Sequence, residues 1–586
     1  MAIQSAKAQS NLRVKTWRVR GTFIVFVVLA VALIGRLFVL QVQQHDVLTQ
    51  RGDNQHLQSK SLPAERGNIY DRNGNLLAGN ATAYDLYADL THLPKMEDRR
   101  TLADSLAQLT DSSPEDMFAS LSAQITGTRK LRANLTDDQK DRLDAVMSDH
   151  SDSLWLEAHS RRTYPNGNLL ATVLGYANSE NVGAYGLEGA YEKVLGGKPG
   201  LLKAEYDATG TEIPLGQRQY EPPVDGQDIY LTIDMNVQFI AERNLDEGMR
   251  ATGAKSGQVV ILDPKSGEIL ALAARPTFDP NNYSQYTNDL SLFRNPVVND
   301  IYEPGSTFKV LTWAMGVNEG KITPDFALDL PACRELYRQR ICNHDRTAHA
   351  AESMETGLAI SDNIAAMKIA EMVSKDRFYQ YLKQWGIGQT SGAGFGESEE
   401  PGLVYFPGDK GWNDLNFYTN SFGQGIAITP LQMVVAIVPV ANGGNLMQPY
   451  IMQKIVDKHG VVVKQSSPQV KSQLLSPDAA QMTTEMMEAV VERGTGRLAK
   501  TVETKAYRIA AKTGTAQVPL RGGGYDPNNS IGGVVGFAPA EDAKFVALVK
   551  LDRPTSSQWG ELTAVPIFGY ITRDLLTYYN VQPPAP

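Results

Sequence analysis

A long apolar run close to the N-terminus places the strongest constraint on this chain. Residues 21–42 contain a single charge, Arg36, which lies toward the far end of the run, where its side chain can reach an interface. About twenty residues of helix span the hydrocarbon core of a bilayer. No small-x-small cleavage site precedes the polar residues after Gln43. We therefore predict a retained transmembrane anchor rather than a cleaved signal peptide.

The basic residues ahead of this run predict its orientation. Five of them crowd the first twenty positions, namely Lys7, Arg13, Lys15, Arg18 and Arg20. Positive charge beside a span favours the cytoplasmic side of the membrane. We therefore predict a cytoplasmic tail over residues 1–20 and a single-pass protein of the cytoplasmic membrane. Its bulk then lies outside, on the periplasmic or cell-wall side.

Length and charge narrow the classes of fold and function. A chain of 586 residues exceeds what one hydrophobic core supports, so we expect two to four domains. Its hydrophobic content of 42% is that of a folded protein rather than a disordered one. The net charge of −9 argues against nucleic acid as a partner, because phosphate binding needs a basic surface.

The two cysteines, Cys333 and Cys342, are close in sequence and fall in the compartment predicted to be oxidising. A local disulfide is the leading interpretation. A zinc site completed by His344 and His349 is an alternative, although the spacing matches no common ligand pattern. A pair of free thiols is the third. We otherwise predict no metal site and no cofactor.

The part of the chain that follows the anchor shows several local patterns. Residues 43–65 are polar and Gln-rich, as a stalk would be, and in residues 66–80 an Asn-Gly pair between short apolar runs predicts a β-hairpin. Residues 96–158 have apolar positions three to four apart and are predicted to be helical. Turns marked by Gly and Pro punctuate residues 161–200.

Alternating and apolar strands flank a helical middle in the second half of the chain. The predicted strands are 227–234, two within 256–276, and 543–552, and a closing helix is predicted over 561–579. Strands at both ends with helices between them indicate an antiparallel sheet with helices on its faces, an α/β domain. We place the boundary near 220–226, which gives domains over 43–225 and 226–586.

Three short motifs stand in order in the second domain: Ser306-Thr-Phe-Lys309, Ser361-Asp362-Asn363 and Lys512-Thr513-Gly514-Thr515. A serine hydroxyl is a weak nucleophile and needs a base beside it. Pro304-Gly305 and the apolar residues that follow predict that Ser306 opens a buried helix. Lys309 then shares a face with Ser306 and serves as base, since an apolar pocket and the cation of Lys512 favour loss of its proton.

The other motif residues have predicted roles in binding the substrate and moving a proton. Ser361 is suited to relay a proton to the leaving amine, and the Asn363 amide to hold the substrate backbone. The strand that carries Thr513, Gly514 and Thr515 would align an extended peptide, with the two hydroxyls binding a carboxylate. Each motif alone is weak, because S-D-N is more often a helix cap and K-T-G a turn. The ordered set is a strong signal.

This set resembles that of penicillin-binding proteins and β-lactamases. From the anchor to the C-terminus the chain is similar to class B penicillin-binding proteins, the monofunctional D,D-transpeptidases of the cell wall. RGNIYDRNGNLLA, RRTYPNG and GLEGAYEKVLGGKPG resemble their pedestal motifs, and SFGQGIAITPLQM resembles the stretch ahead of the K-T-G strand. The resemblance implies an α+β pedestal, or dimerisation-type, domain and an α/β serine penicillin-recognising domain.

The resemblance also implies a substrate, a reaction and partners. Ser306 would be acylated by a peptidoglycan stem peptide ending in D-Ala-D-Ala, and an amine of a neighbouring stem would resolve the acyl-enzyme. Backbone N–H groups of Ser306 and Thr515 would form the oxyanion hole. β-Lactam antibiotics would acylate the same serine. A polytopic glycan polymerase of the FtsW/RodA type and other wall-synthesis proteins are the implied partners.

Within the family, the compact pedestal directly after the anchor is closest to the division-specific FtsI type, with the elongation-specific type as runner-up. We expect neither a glycosyltransferase domain ahead of the pedestal nor a PASTA-like tail. A β-lactamase or β-lactam sensor and a non-catalytic scaffold are the more distant alternatives. Residues 333–350, with their paired cysteines, depart from the family pattern, so their role is open.

Overall fold

The computed structural model describes residues 3–48, 57–93, 96–122, 127–206, 212–214, 218–520 and 524–583. Residues 1–2 of the predicted tail and 49–56 of the predicted stalk lie outside the described residues. The chain forms two compact units. One comprises Met1–Ala64 and Lys198–Val224, and the other comprises Glu65–Gly197 and Asp225–Pro586.

The N-terminal helix of the first unit covers Ile3–Phe38 and continues as one π-helical turn over Val39–Gln43. Its stretch Thr16–Gln43, 28 residues, is long and apolar enough to cross a membrane. The apolar side chains of this stretch, such as Phe23 and Leu33, are exposed on all sides of the helix. A helix that is apolar all round requires an apolar environment. The predicted apolar helix is confirmed, whereas its retention as a membrane anchor and its orientation stay predictions.

The first unit also contains a three-stranded antiparallel sheet, in the order Leu57–Leu62, Gly200–Glu205 and Arg218–Glu221. The segment Leu57–Leu62, which we predicted to be part of a polar stalk, is therefore a strand. Its partner lies about 140 residues away in the sequence, and no local pattern reveals such a pairing.

A larger mixed sheet lies in the second unit. Its spatial order is Val462–Gln465, Met452–Val456, Asp228–Leu231, Ile69–Tyr70, Leu76–Asp89 and Thr128–Leu135, and Leu154–Thr163 also pairs with Leu76–Asp89. The predicted hairpin is confirmed, since Ile69 pairs with Ala78 around Gly74, whose φ of +86° suits the turn. The sheet contains strands from both sides of the predicted boundary near 220–226, so the boundary stays a prediction.

The prediction of a helical stretch over 96–158 is only partly right. Three helices do form there, Met96–Leu109, Pro114–Ser122 and Asp137–Asp149. However, Thr128–Leu135 and the start of Leu154–Thr163 are strands. Both segments alternate polar and apolar residues, with Leu131, Ala133 and Leu135 two apart, and this period of two overrides the helical pattern around them.

Three pedestal segments converge on one buried carboxylate, that of Glu188. Arg66 donates from Nε to Glu188 Oε2 at 2.8 Å, and Arg162 donates from Nε to Oε1 at 2.6 Å. The Tyr164 hydroxyl donates to Oε1 at 3.3 Å. All four side chains are buried. The short helices Ala171–Leu174, Gly186–Ala190 and Glu192–Leu195 carry the chain past this cluster.

A five-stranded antiparallel sheet forms the centre of the C-terminal part. Its spatial order is Ile269–Arg275, Ser256–Leu262, Phe545–Asp552, Tyr525–Ala538 and Ala510–Pro519. Val259 and Ile261 pack on one side against helices Met235–Thr252 and Gly560–Tyr578. Val260 and Leu262 belong to a separate core on the opposite face. The predicted sheet, built from strands at both ends of the domain with helices on its faces, is confirmed.

The remaining elements lie largely between 280 and 500. The helices are Pro296–Asn299, Lys309–Asn318, Met354–Ala359, Asn363–Val373, Lys375–Trp385, Asp414–Asn420, Pro430–Ala441 and Pro477–Arg493. Short 3₁₀ turns occur at Pro280–Tyr286, Leu290–Phe293, Gly305–Phe308, Gly396–Ser398 and Arg497–Ala499. Two-stranded ladders pair Ala327–Leu330 with His349–Ser353, Cys333–Leu336 with Gln339–Cys342, and Asn445–Met447 with Val470–Gln473.

Candidate active site

Ser306 lies in the 3₁₀ turn Gly305–Phe308, which leads directly into the buried helix Lys309–Asn318. Gly305 has a φ of +55°, and its N–H donates to the carbonyl of Gly423 at 3.1 Å. This hydrogen bond holds the turn against the segment that carries Gly423. The hydroxyl of Ser306 is half-buried, faces a cavity and makes no hydrogen bond with any described residue. It is therefore unengaged at the cavity wall.

Two buried lysines meet at Ser361. Lys309 donates from Nζ to the carbonyl oxygen of Ser361 at 2.5 Å and to its Oγ at 3.1 Å. Lys512 donates from Nζ to the same Oγ at 3.0 Å and to the carbonyl of Thr513 at 3.0 Å. Ser361 itself has a φ of +64°, which is uncommon for a serine and orients its side chain in the site. In this state Lys309 Nζ is bonded to Ser361 rather than to Ser306.

Burial and mutual repulsion change the protonation of this pair. Burial lowers the pKa of Lys309 from 10.5 to about 7, although the charge of Asp362 opposes the change. Burial also holds the pKa of Lys512 well below its usual value, and the charge of Lys309 lowers it further, against an opposing effect of Glu561. Two ammonium groups beside one hydroxyl repel each other. The two lysines together therefore carry less than two full positive charges near neutral pH.

The third residue of the S-D-N motif, Asn363, lines the cavity and begins the helix Asn363–Val373. Its Nδ2 donates to the carbonyl of Cys342 at 3.0 Å. The middle residue, Asp362, is buried and caps the helix by accepting from the N–H of Ala365 at 2.7 Å. We predicted no role for Asp362 from the sequence, yet it caps the helix that begins at Asn363.

The K-T-G residues lie on Ala510–Pro519, the edge strand of the five-stranded sheet. A Cβ on Gly514 would lie 2.9 Å from Thr307 Cγ2 and 3.1 Å from the Pro304 carbonyl oxygen. The glycine thus lets the strand approach the turn that carries Ser306. Thr515 Oγ1 accepts from the N–H of Gly560 at 3.0 Å, and Thr513 and Thr495 share a hydroxyl contact of 2.6 Å.

A cavity of about 340 Å³ brings most of these residues together. The predicted residues at its wall are Ser306, Ser361, Asn363, Thr513 and Thr515, and the residues that we did not predict are Gly305, His344, Phe422, Gln424, Thr495, Trp559 and Glu561. The side chains of Lys309 and Lys512 lie just beneath it, bonded to Ser361. The residues that we did not predict at this cavity come from several segments, and two of them, Phe422 and Gln424, lie in the stretch SFGQGIAITPLQM.

Cys333 and Cys342 are joined by a disulfide in the structure. They are directly paired across the ladder of Cys333–Leu336 and Gln339–Cys342. His349 lies between two carboxylates, with Nδ1 at 2.7 Å from Asp362 and Nε2 at 3.3 Å from Asp345. Because a disulfide removes both thiolates, these four residues do not form the alternative zinc site.

A serine at the start of a buried helix, two lysines beside a second serine, and a K-T-G edge strand define a serine penicillin-recognising domain. The comparisons agree. Residues 257–573 match the penicillin binding protein transpeptidase domain, and residues 61–231 match the penicillin-binding protein dimerisation domain. The chain belongs to the class B penicillin-binding proteins.

Relatives and solved structures cover most of the chain. Stage V sporulation protein D of Bacillus subtilis is 34% identical over 533 residues, which span 90% of this chain and 80% of the relative. Peptidoglycan D,D-transpeptidase FtsI of Escherichia coli is 28% identical over 581 residues, 95% and 91% of the two chains. Penicillin binding protein 3 from Mycobacterium tuberculosis, solved with aztreonam, has a TM-score of 0.69 at 25% identity and covers 90% of this chain and 99% of its own. Penicillin Binding Protein 2X from Streptococcus thermophilus gives 0.73 at 25% identity, with coverages of 89% and 80%.

Proposed function

We propose that the protein is a membrane-anchored peptidoglycan D,D-transpeptidase in which Ser306 is the nucleophile. The observation that carries this proposal is the contact of two buried lysines with Ser361 Oγ beside the cavity that Ser306 lines. The names of the relatives and the matched transpeptidase domain support the same reaction. Stem peptides ending in D-Ala-D-Ala are the proposed substrate, and β-lactams the proposed inhibitors.

Acylation begins with the donor peptide lying along the K-T-G edge strand. Its terminal carboxylate binds near the hydroxyls of Thr513 and Thr515 and favours the charged form of Lys512. The single proton that the lysine pair can easily lose then comes from Lys309. Neutral Lys309 takes the proton of Ser306 as the Ser306 oxygen attacks the carbonyl carbon of the penultimate D-Ala.

The leaving group departs when the carbon–nitrogen bond to the terminal D-Ala breaks. Its nitrogen takes up a proton that passes from Lys309 through Ser361 Oγ, the atom that both lysines contact. The backbone N–H groups of Ser306 and Thr515 are proposed to stabilise the negative charge on the carbonyl oxygen. The result is an ester between Ser306 and the donor stem.

Transfer repeats these steps in reverse with a new amine. An amine of a neighbouring stem attacks the ester carbon, gives its proton to the Ser361–Lys309 pair, and releases Ser306 as a free hydroxyl. A β-lactam acylates Ser306 when its ring amide bond opens. The leaving nitrogen then remains attached to the acyl group, so the acceptor amine has no room to enter.

The cellular setting is also proposed. The basic tail supports an orientation with the N-terminus in the cytoplasm and the catalytic part outside, where wall is made. We assign the protein to septal wall synthesis from its resemblance to the division-specific type, with elongation as the second candidate. A polytopic polymerase of the FtsW/RodA type is the proposed partner. A fluorescent fusion of the full chain is expected at the septum, and labelling along the side wall would favour elongation instead.

Labelling with a fluorescent penicillin tests the reaction. The full-length protein in detergent should form a stable covalent adduct, Ser306→Ala should form none, and the exposed Ser284→Ala should label as the wild type does. Rapid turnover of the adduct would instead indicate a β-lactamase. An absence of labelling in the wild type would overturn the assignment as an acylating enzyme. The non-catalytic scaffold would then be the remaining hypothesis.

A further inference from the structure

The segment that departs from the family pattern contacts the catalytic motif directly. Asn343 follows the disulfide-closed hairpin and is buried. Its Nδ2 donates to Asp362 Oδ2 at 2.8 Å, and its Oδ1 accepts from the N–H of Asn363 at 2.9 Å. One amide therefore links this segment to two consecutive residues of the S-D-N motif.

His349 adds a charged link to the same carboxylate. Its Nδ1 lies 2.7 Å from Asp362 Oδ2, and its Nε2 lies 3.3 Å from Asp345 Oδ2. Both ring nitrogens donate only in the protonated imidazolium. An imidazole between two carboxylates therefore favours the charged form. Asp345 is partly exposed, whereas Asp362 is fully buried. Solvent therefore screens the contact of His349 with Asp345 more than its contact with Asp362.

Resting on the transpeptidase function proposed above, we propose that His349 is a positioning residue for acyl transfer, which acts through Asp362 on Lys309 and Ser361. Asp362 Oδ1 caps the helix Asn363–Val373, while Oδ2 is held by Asn343 and His349. Ser361, which precedes Asp362, is bonded to Lys309. The imidazole therefore holds the side chain of the residue that directly follows the proton-relay serine.

The charges around the site give this link an electrostatic consequence. Burial alone would lower the pKa of His349, but the hydrogen bond to Asp362 and the charges of Asp362 and Asp345 outweigh it and raise the pKa above 6.5. The charge of Asp362 in turn raises the pKa of Lys309 against the effect of burial. A protonated His349 offsets part of the negative charge that Lys309 experiences. Lys309 then gives up its proton more easily.

The other titratable groups near this chain of contacts are few among the described residues. Lys512 faces Lys309, and Glu561 in turn faces Lys512. On the outer side, His344 faces Asp345. None of these replaces the contact of His349 with Asp362. Removing the imidazole therefore leaves the negative charge of Asp362 to act on Lys309 without its cationic partner.

The test measures the rate of fluorescent-penicillin acylation by the full-length protein in detergent, between about pH 5.5 and 9. In His349→Gln the midpoint of the acid limb should move up by about one pH unit, so that acylation below the midpoint falls roughly tenfold. The plateau at high pH should change by less than about threefold. Asp345→Asn, at a partly exposed position, should move the midpoint in the same direction by less.

His92→Gln is the matched control, because His92 is an exposed histidine paired with Asp89 at 2.9 Å. It should leave the profile unchanged. A uniform loss at every pH in His349→Gln, or an unmoved midpoint in both variants, would overturn the proposal. If His349→Gln does not fold, the midpoint of the acid limb in Asp345→Asn is the deciding measurement, and an unmoved midpoint would overturn the proposal. Failure of the wild type to label would instead overturn the proposed function itself.

Discussion

Lys309 and Lys512 donate to one atom, Ser361 Oγ, at 3.1 and 3.0 Å. Both lysines are fully buried, and each Nζ contacts that hydroxyl. Two cations in this position repel each other and are poorly solvated, so one proton is easily lost. Ser361 therefore connects the proposed base to Lys512, the lysine proposed to face the substrate carboxylate, and the two lysines titrate together.

Replacement of Lys309 tests whether its amine is the base. Lys309→Ala should lower the acylation rate roughly 10²- to 10⁴-fold, because the serine loses its general base. Lys309→Arg should not restore the rate, since a guanidinium stays protonated. Stopped-flow measurement with a chromogenic β-lactam gives the rate. Lys321→Arg, at an exposed position beyond the same helix, should label normally. Rapid acylation by Lys309→Arg would contradict the assignment.

The pH dependence of the wild type follows from the lowered pKa of Lys309. The neutral amine becomes the main form as the pH rises through about 7, so acylation should increase through that range and then level off.

The same lowered pKa affects stability. The unfolded lysine binds its proton up to about pH 10.5 and the folded one only up to about 7. This residue therefore destabilises the fold most below pH 7, and the cost falls as the pH rises from 7 to 10.5. The acylation rate and the free energy of unfolding, each measured against pH, check the two predicted directions. An acylation rate that is flat between pH 6 and 8, about one unit on either side of 7, would contradict the predicted rise in activity.

Gly514 offers a test of the close approach between the K-T-G strand and the nucleophile turn. Gly514→Ala places a Cβ 2.9 Å from Thr307 Cγ2 and 3.1 Å from the Pro304 carbonyl, so the strand or the turn must move. Misplacement of this size should reduce acylation roughly 10- to 100-fold. Gly533, its partner across the ladder, has only a 3.8 Å neighbour, so Gly533→Ala is the matched control. Equal rates in the two variants would show that the approach is not critical.

Local sequence patterns predicted those strands, helices and motif residues whose formation depends on neighbouring residues. The Asn-Gly hairpin followed from turn chemistry, and three strands of the five-stranded sheet followed from their apolar pattern. Tyr525–Ala538 was not predicted, and the predicted strand 227–234 lies in the larger mixed sheet. The strand Leu57–Leu62 did not, because its partner Gly200–Glu205 is remote in the chain. Thr128–Leu135 was missed because its alternation of period two is short and lies between true helices.

The candidate site divides along the same line. Ser306, Lys309 and Lys512 belong to motifs whose residue types and order predict their catalytic roles. Asn343 and His349 carry no such signal, since their contacts with Asp362 arise only when the disulfide-closed segment folds over the S-D-N motif. Spacing along the sequence does not encode that contact. The pedestal motifs show the same limit, because nothing local indicates that Arg66 and Arg162 share one carboxylate.

Removal of Glu188 from its buried cluster should cause a large loss of stability outside the active site. Glu188→Ala leaves the guanidinium groups of Arg66 and Arg162 buried without their shared anion, which should cost about 3–5 kcal/mol in the free energy of unfolding of the pedestal. Glu180→Ala, an exposed glutamate of the same segment, should change that free energy by less than about 0.5 kcal/mol. Denaturant unfolding followed by limited proteolysis of the pedestal measures both. Because the cluster joins three segments far apart in sequence, its loss should expose cleavage sites in all three together. A loss below about 1 kcal/mol would mean that water replaces the carboxylate and that the cluster does not hold the segments together.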